Sequence, residues 1–304
     1  MPDAPPALRR VVIAGASGLI GTTLTERLRS DGVEVTHLVR RPAATADEVE
    51  WLSDDDRLDP AVLDGADAVV CLNGASIGRF PWTPSYRHTL LWSRVVPTRA
   101  IASALRELGA DAPAFASASA VGYYGSAPGV PLDESAPRGE TFLADICGEW
   151  EGAARHSGDA RVVHLRTAPL IHPEGVLKPL LLLTALGVSG PVGRGTQAWG
   201  WISLEDEVRA IHHVLGTDVE GPVNLSGPER ATANDLGFAL ARRMNRPYLL
   251  RAPEWGLKLV LGKDATESLL TADAHIVPAA LEASGFAFTH ATVEEAVAAA
   301  VPAR

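Results

Sequence analysis

The feature that most constrains the fold is a turn with three glycines that directly follows a short apolar stretch. The segment VVIAGASGLIG places Gly15, Gly18 and Gly21 at intervals of three residues. The apolar run before it predicts a buried strand, and the pattern from about Leu19 to Ser30 predicts an amphipathic helix. In a strand–turn–helix unit these glycines allow a tight turn, the close approach of a pyrophosphate and close packing of the helix on the strand.

The backbone N–H groups at the start of such a helix bind phosphate oxygens. We therefore expect this turn to bind a dinucleotide, since the glycines stand in the strand–turn–helix context that this function requires. The alternative is a purely structural glycine turn. The residues expected to contact the dinucleotide here are Gly15, Ser17, Gly18, Leu19, Ile20 and Gly21.

The end of the second strand indicates which dinucleotide is bound. NAD-selective proteins carry an Asp or Glu there, which accepts a hydrogen bond from the ribose 2′-OH. This strand instead ends in Val39-Arg40-Arg41. Because a guanidinium suits a 2′-phosphate in charge and geometry, Arg40 and Arg41 favour NADP(H), the alternative being two merely solvated arginines. Leu72, Asn73 and Gly74 follow the next strand, at the sheet edge where ligands approach.

Apolar stretches alternate with helical patterns through the first half, which predicts an α/β fold with a Rossmann-type doubly wound parallel sheet. Helices are expected near Leu19–Ser30, Tyr86–Leu108 and Thr141–Arg155. The predicted strands are Arg10–Ala14, Glu34–Val39, Ala68–Leu72, Ala114–Ser117 and Arg161–Leu165.

Prolines and glycines become frequent after Leu165 and mark the start of a second lobe. We predict an NADP(H)-binding Rossmann domain at 8–168, to which 203–226 return through a helix at Ser203–Leu215 and a strand at Val223–Leu225. Residues 169–202 and 227–304 are predicted to form a smaller C-terminal α+β substrate lobe.

Composition excludes several function classes. The formal net charge of −10 argues against general binding of nucleic acid or anionic membranes. The longest apolar stretch, Leu180–Val188, is too short to span a bilayer, and the first ten residues hold three prolines and no apolar signal segment. We expect a cytoplasmic protein. Its two cysteines, Cys71 and Cys147, lie in apolar patterns without a Cys/His cluster, so we expect buried thiols and no metal site.

Several further segments resemble one family over nearly the whole chain. They are AGASGLIG at 14–21, the Ser93-Arg94 pair, SASAVGYYG at 117–125, FLADICGEWE at 142–151, WGWISLEDEV at 199–208, GPVNLSGPE at 221–229 and GFAFTHATVEEAV at 285–297. The chain resembles the extended short-chain dehydrogenase/reductase superfamily, and most of all its nucleoside-diphosphate-sugar epimerase-like family with a C-terminal domain of unknown function. This resemblance implies contact with NADP(H) by the glycine turn, Arg40, Arg41, Leu72, Asn73 and Arg94.

The catalytic pair of that superfamily is missing. Most members use a Tyr-x-x-x-Lys pair on one helix, in which the Lys lowers the pKa of the Tyr. The only lysines here are Lys178, Lys258 and Lys263, and none has a tyrosine four residues before it. Alignment of the helix places Leu143 and Cys147 at the Tyr and Lys positions.

Other residues are candidates for the substrate site. Ser119 matches the serine that polarises the substrate, and Tyr123 and Tyr124 follow it and could supply a phenol as an acid. The alternative is a structural role, in which one tyrosine packs and the other caps a loop with its hydroxyl. The resemblance places Trp199 and Trp201 at the cleft between lobes. An indole there would stack on a flat or sugar-like ligand. The alternative is that both tryptophans belong to the core between the lobes.

The sequence is compatible with two functions. The first is an epimerase or oxidoreductase that uses NADP(H) on an unknown carbonyl or nucleotide-sugar-like small molecule, which Ser119 with Tyr123 or Tyr124 orients. The second is a non-catalytic NADP(H)-binding sensor or assembly factor, which the missing Tyr/Lys pair motivates. By analogy we expect a homodimer through the helices at Tyr86–Leu108 and Thr141–Arg155.

Overall fold

The computed structural model describes residues 8–53, 56–175 and 177–303. The strands within these residues are β1 (Arg10–Ala14), β2 (Glu34–Val39), β3 (Glu48–Glu50), β4 (Ala68–Cys71), β5 (Ala114–Ala120), β6 (Pro131–Leu132), β7 (Val162–Thr167), β8 (Leu170–Ile171), β9 (Ala198–Trp199), β10 (Ile202–Ser203), β11 (Gly221–Leu225), β12 (Ala231–Thr232) and β13 (His275–Ile276).

The helices are α1 (Leu19–Ser30), α2 (Pro84–Leu108), α3 (Phe142–Ala154), α4 (Leu177–Ala185), α5 (Leu204–Leu215), α6 (Ala233–Arg243), α7 (Glu254–Leu261), α8 (Lys263–Ala265), α9 (Ala279–Ala283) and α10 (Val293–Ala300). A π-helical turn at Thr266–Leu270 follows α8, and 3-10 turns lie at Pro60–Val62, Gly109–Asp111 and Val121–Tyr124.

Seven strands form one sheet in the order β11-β7-β5-β4-β1-β2-β3. Every pair in it is parallel, which confirms the predicted Rossmann-type fold. The chain builds outward from β1 to one side and then, from β4 on, to the other side. The crevice at the carboxyl ends of β1 and β4 is therefore the switch point at which open α/β sheets bind ligands.

Two apolar layers hold helices on the two faces of this sheet. Val11 and Ile13 of β1 pack with α1 and α5, whereas Val12 and Ala14 pack with α2 and α3. This alternation follows from the two-residue period of a strand, whose successive side chains point to opposite faces. Both faces are thus covered, as a parallel sheet requires.

The remaining elements pack at the carboxyl edge of the sheet. Helices α4, α6 and α10 surround an apolar core that includes Leu177, Leu236 and Val297. Residues of α7, α8 and the π-helical turn instead pack on α2 and α3, and an ion pair joins Arg87 of α2 to Asp264. The C-terminal part of the chain therefore lies directly against the Rossmann helices.

The predicted boundaries differ from the observed ones at the ends that matter for function. Strand β5 was predicted to end at Ser117 but continues to Ala120, with Ser119 paired to Arg166 of β7. Its sequence AFASASA is rich in alanine, which is depleted in strands, so the sequence underestimates its length. Strand β4 ends at Cys71, although the Leu72 N–H still donates to the Ala14 carbonyl.

Candidate functional site

The glycine turn forms a cradle that side chains would fill. Gly15 has φ +87°, and a Cβ there would lie 2.9 Å from the carbonyl carbon of Leu72. A Cβ on Gly21 would lie 2.4 Å from the Gly15 carbonyl oxygen, so the helix could not approach the turn. Gly18 is exposed and has an extended backbone conformation at the N-cap of α1. Gly15 and Gly21 thus stand where a side chain would clash, whereas the approach of a pyrophosphate to Gly18 stays a prediction.

The start of α1 differs from the starts of the other long helices of the Rossmann core. Thr83, Thr141 and Ser203 cap α2, α3 and α5 with side-chain oxygens, whereas Gly18 provides no side-chain cap for α1. The first turn of α1 also contains no acidic residue. Its free N–H groups and positive dipole end are therefore available to an anion, and this cradle fits the phosphates of a dinucleotide.

The two arginines after β2 are not equivalent. Arg41 makes a two-pronged ion pair with Glu48 of β3, with Nη2–Oε1 and Nη1–Oε2 distances of 2.6 and 2.8 Å. Hydrogen bonds from Arg41 lower the pKa of Glu48 to about 2. Arg40 is exposed, and within the described ranges its guanidinium has no ion pair or hydrogen bond. Arg40 is therefore the arginine that is free to bind a phosphate.

Arg94 lies behind the loop that follows β4. Its guanidinium donates to the carbonyls of Leu90 and Ala75 and stacks over the Trp150 ring at 5.1 Å. A Cβ on Gly74 would lie 3.0 Å from the guanidinium carbon of Arg94, so a side chain there would displace the guanidinium by a few tenths of an ångström. Arg94 thus shapes the loop with Asn73 and Gly74, and two of its nitrogens are already used by backbone carbonyls.

Ser119 belongs to a buried ion-pair network. Its hydroxyl donates to Glu151 Oε1 of α3 at 2.8 Å. Arg166 of β7 binds both oxygens of this carboxylate, with Nε–Oε1 and Nη2–Oε2 distances of 2.8 and 2.9 Å. Burial opposes ionisation of Glu151, but the hydrogen bonds and charge of Arg166 outweigh it and lower the pKa of the carboxyl group. Glu151 is therefore an ionised acceptor.

The two tyrosines have different environments. Tyr124 is buried, donates to Asn224 Oδ1 at 2.7 Å and accepts from Arg166 at 2.8 Å. Burial raises the pKa of Tyr124 to about 12. Tyr123 is half-buried, and the Arg166 guanidinium lies 3.6 Å over its ring. In the described part of the chain its hydroxyl has no hydrogen-bond partner. Of the predicted pair, only Tyr123 has a hydroxyl available to a ligand.

The positions of the missing dyad are filled by apolar packing. Leu143 is buried, contacts the turn at Gly122 and packs with Ala265 of the C-terminal part. The thiol of Cys147 donates to the Ala120 carbonyl, with an Sγ–O distance of 3.7 Å. Burial, with the nearby Glu151 charge, raises the pKa of Cys147 to about 12. A neutral, buried thiol cannot act as a nucleophile or replace a lysine.

The two tryptophans pack around a small cavity of about 10 Å³. Trp201 is 3% exposed, and its indole N–H donates to the Glu229 carbonyl at 2.9 Å. Trp199 is half-buried, and its indole N–H donates to the Leu270 carbonyl. The prediction of a substrate contact therefore needs correction for Trp201, because core packing leaves its ring no free face. Trp199 keeps part of its surface exposed.

A second buried acid lies at the carboxyl end of β7. Glu207 of α5 is 1% exposed and accepts from the Thr167 hydroxyl at 2.8 Å through Oε1. Its Oε2 atom is buried without a partner among the described residues. Burial raises the pKa of Glu207 to about 8, so this side chain is largely neutral at pH 7.

Sequence reasoning missed Glu151, Arg166, Asn224 and Glu207 as members of these networks. A signal was present for Arg166, because RVVHLRT places His164 and Arg166 on one face of a strand that is otherwise apolar. A charge inside a buried strand requires a partner. The partner Glu151 lies on a helix earlier in the chain, and no local pattern identifies it.

The described residues lack two features. No helix of the described residues is both long and apolar enough to cross a membrane. The same residues contain no group of three His, Cys, Asp or Glu side chains that could hold a metal ion.

Comparison with known proteins identifies the family. The sequence matches the NAD dependent epimerase/dehydratase family over residues 11–226, and a domain of unknown function, DUF1731, over residues 252–300. The chain therefore belongs to the NAD-dependent epimerase/dehydratase family. This confirms the predicted family and its nicotinamide dinucleotide cofactor.

Individual relatives extend over almost the whole chain. An epimerase family protein of Mycobacterium bovis is 38% identical over 291 residues, which cover 94% of this chain and 96% of that protein. The epimerase family protein SDR39U1 of Bos taurus is 31% identical, with 92% and 95% covered. The crystal structure of human epimerase family protein SDR39U1 with NADPH has a TM-score of 0.83 to this chain at 27% identity, covering 96% and 98%.

Proposed function

We propose that this chain is an NADP(H)-dependent oxidoreductase or epimerase that acts on a carbonyl or nucleotide-sugar-like substrate. One observation carries the cofactor assignment. The N-terminus of α1 has no side-chain cap and no acidic residue, and it lies above a cradle that a Cβ at Gly15 or Gly21 would fill. The human relative whose structure contains NADPH supports the same assignment.

The chain's own residues bind and orient the cofactor. The turn from Gly15 to Gly21 would hold the pyrophosphate, and Arg40 would bind the 2′-phosphate. Arg41 would lie beside Arg40 and stay paired with Glu48. Leu72, Asn73 and Gly74 would line the crevice, and Arg94 would support their loop. When bound, the cofactor supplies hydride transfer. Ser119 and Tyr123 would then orient the substrate at the carboxyl end of β5.

Gly18 offers a clean test of the phosphate site. A Cβ there would lie 3.4 Å from the Gly15 oxygen, and the φ of −78° suits alanine. Gly18→Ala should therefore fold normally but place a methyl group where the phosphate approaches. We expect the rise in melting temperature on NADPH addition to shrink, while Gly152→Ala, whose Cβ would meet nothing within 4 Å, keeps the full rise. An equal rise in melting temperature in Gly18→Ala and Gly152→Ala on NADPH addition would contradict the proposed phosphate site.

A specific observation favours a second candidate, a non-catalytic NADP(H)-binding sensor or assembly protein. Leu143 and Cys147 fill the dyad positions, and neither can transfer a proton at neutral pH. A turnover screen over carbonyl and nucleotide-sugar substrates, followed both at the NADPH absorbance and by product analysis for epimers, separates the two. The enzyme predicts turnover that Ser119→Ala reduces. Neither NADPH oxidation nor epimer formation despite tight binding supports the sensor.

Assembly and location are further proposals. We infer a homodimer through α2 and α3, where Trp92 is 36% exposed, and a cytoplasmic location that suits two free, buried cysteines. The dimer is tested by light scattering, which measures the molar mass of the wild type and of the Trp92→Glu variant. A mass of one chain for this variant and of two for the wild type supports it, and one chain for both overturns it.

A further inference from the structure

A large apolar face is exposed on the C-terminal part of the chain. It consists of seven residues of α4, α6 and the loops that follow these helices, each between 41% and 78% exposed: Leu182, Leu183, Leu186, Val188, Phe238, Leu249 and Leu250. Seven such residues together expose about 600–800 Å², against about 300–600 Å² for the largest apolar patch on a typical monomer. An apolar patch of this size marks an interaction site.

Contacts between the segments make the apolar face continuous. The N–H groups of Leu249 and Leu250 both donate to the carbonyl of Ser189, which lies shortly after the end of α4. The ring of Phe238 on α6 packs against that of Tyr248, with the ring centroids 4.6 Å apart. The loop after α6 therefore bridges the end of α4 and the side of α6.

A lysine lies on the same side of α4 as two of these leucines. Lys178, Leu182 and Leu186 are spaced four residues apart, which places them along one side of a helix. The Leu186 N–H donates to the Leu182 carbonyl, so the helical geometry extends to this residue. Lys178 is exposed, and in the described part of the chain neither Glu174 nor another acid forms an ion pair with it.

Two arginines flank the other half of the apolar face. Arg246 and Arg251 stand on either side of the two exposed leucines in the loop after α6, and both arginines are themselves exposed. Arg251 donates through Nε to the Gly193 carbonyl at 2.9 Å. Across the described ranges no carboxylate pairs with either guanidinium. Lys178, Arg246 and Arg251 thus form a basic rim along the apolar face.

The charge along this face is opposite to that of the whole chain. Residues 175–204 and 236–253 contain six Lys or Arg residues and no Asp or Glu, although the formal net charge of the chain is −10. Arg194 and Arg242 pair with acids from other segments, and Arg243 donates to backbone carbonyls. The basic rim supplies the other three charges. A local excess of positive charge in an acidic chain favours one orientation toward an anionic surface.

We propose that the apolar face and its basic rim dock on the surface of an anionic lipid bilayer. The leucines and Phe238 enter the boundary between headgroups and acyl chains, and the cations of the rim meet the lipid phosphates. The acidic remainder of the protein surface is repelled by the same bilayer, which turns this face toward it. The contact is peripheral, because the apolar stretch Leu180–Val188 is too short to span a bilayer.

A second copy of the chain fits this face less well. In a two-fold symmetric contact the same face meets itself, so the basic rims of the two copies lie close together. Like charges across an interface oppose binding. An anionic bilayer instead supplies the opposite charge at the rim and an apolar phase beyond it, which matches both parts of the surface.

Flotation with lipid vesicles tests the proposal on the full chain. One set of vesicles consists of phosphatidylcholine, which carries no net charge, and the other of phosphatidylcholine mixed with anionic phosphatidylglycerol. We expect the wild type to float with the mixed vesicles and not with phosphatidylcholine alone. Added salt should weaken the binding, because ions screen the attraction between the basic rim and the lipid phosphates.

Matched variants separate the apolar part of the binding from the electrostatic part. Leu249→Ser should weaken binding to mixed vesicles about 10-fold, because this leucine no longer enters the bilayer. Arg246→Gln should weaken it about 5-fold through the loss of one positive charge near the surface. Val130→Ser and Arg106→Gln make comparable changes at exposed positions outside the apolar face and should bind like the wild type. Leu182→Ser replaces Leu249→Ser if the melting curve of Leu249→Ser shows an unfolded protein.

Failure of the wild type to bind either kind of vesicle overturns the proposal, and so does equal binding to both kinds. Losses in the two control variants that match those in Leu249→Ser and Arg246→Gln also overturn it. Light scattering without lipid tests the other occupant. A mass of two chains for the wild type and of one chain for Leu249→Ser assigns the apolar face to a second copy and overturns the bilayer contact.

Discussion

Glu207 provides a quantitative prediction, because a buried carboxyl group with a raised pKa makes stability depend on pH. Its pKa in the folded chain is about 8, against 4.5 for the ordinary value. A carboxyl group whose folded pKa is raised loses stability as the pH rises from the unfolded pKa to the folded one. Between pH 4.5 and pH 7 this loss amounts to about 3 kcal/mol, at about 1.36 kcal/mol per pH unit.

The variant Glu207→Gln removes the titration and keeps an oxygen that can accept from Thr167. Any cost of placing an amide at the unpartnered Oε2 position is independent of pH. The unfolding free energy of Glu207→Gln relative to wild type should therefore increase by about 3 kcal/mol from pH 4.5 to pH 7 and level off above pH 8.

Urea unfolding at a series of pH values measures this difference, and all other titrating groups cancel in it. Glu205→Gln is the matched control, since Glu205 lies exposed in the same helical turn. The unfolding free energy of this control relative to wild type should lack the increase of about 3 kcal/mol. A Glu207→Gln curve parallel to that of the wild type would refute the reasoning, because Glu207 would then ionise normally in the folded protein.

Two further predictions concern the network around β5. Tyr124→Phe should lower the unfolding free energy by about 1–3 kcal/mol in chemical denaturation, because buried Asn224 and Arg166 each lose a partner. Tyr123→Phe should be nearly neutral, because the Tyr123 hydroxyl has no partner in the described residues. Equal losses of unfolding free energy in the two variants would contradict this assignment. Cys147 should resist iodoacetamide at pH 8 in the folded chain and react after unfolding, since burial raises its pKa to about 12; rapid labelling of native Cys147 would refute its burial.

Local signals sufficed for the sheet and the cofactor turn. The apolar runs of β1, β2 and β4 and the spacing of the three glycines are contained within short segments, and the structure places them as predicted. Strand β3 was not predicted, because Glu48-Val49-Glu50 at the sheet edge carries two charges and no apolar run. Helix α4 was missed because it lies in a stretch rich in proline and glycine.

The network around Ser119 depends on contacts between distant segments. Ser119 and Glu151 are 32 residues apart, and Glu151 and Arg166 are 15 apart. Tyr124 and Asn224 are 100 residues apart. The sequence shows that Ser119 follows the family pattern, but the direction of its proton depends on which charge the fold brings to it. Likewise, only the structure shows that Glu48 occupies Arg41 and leaves Arg40 free.

The central claim, NADP(H) binding with Arg40 on the 2′-phosphate, is tested most directly by calorimetric titration of NADPH and NADH into the wild type, Arg40→Ala and Arg41→Ala. We predict tighter binding of NADPH than of NADH by the wild type, and a loss of about 10-fold or more for NADPH alone in Arg40→Ala. Arg41→Ala should lose less, because Glu48 already holds that guanidinium. Equal affinities of the wild type for both dinucleotides, or equal losses of both in Arg40→Ala, would contradict the account.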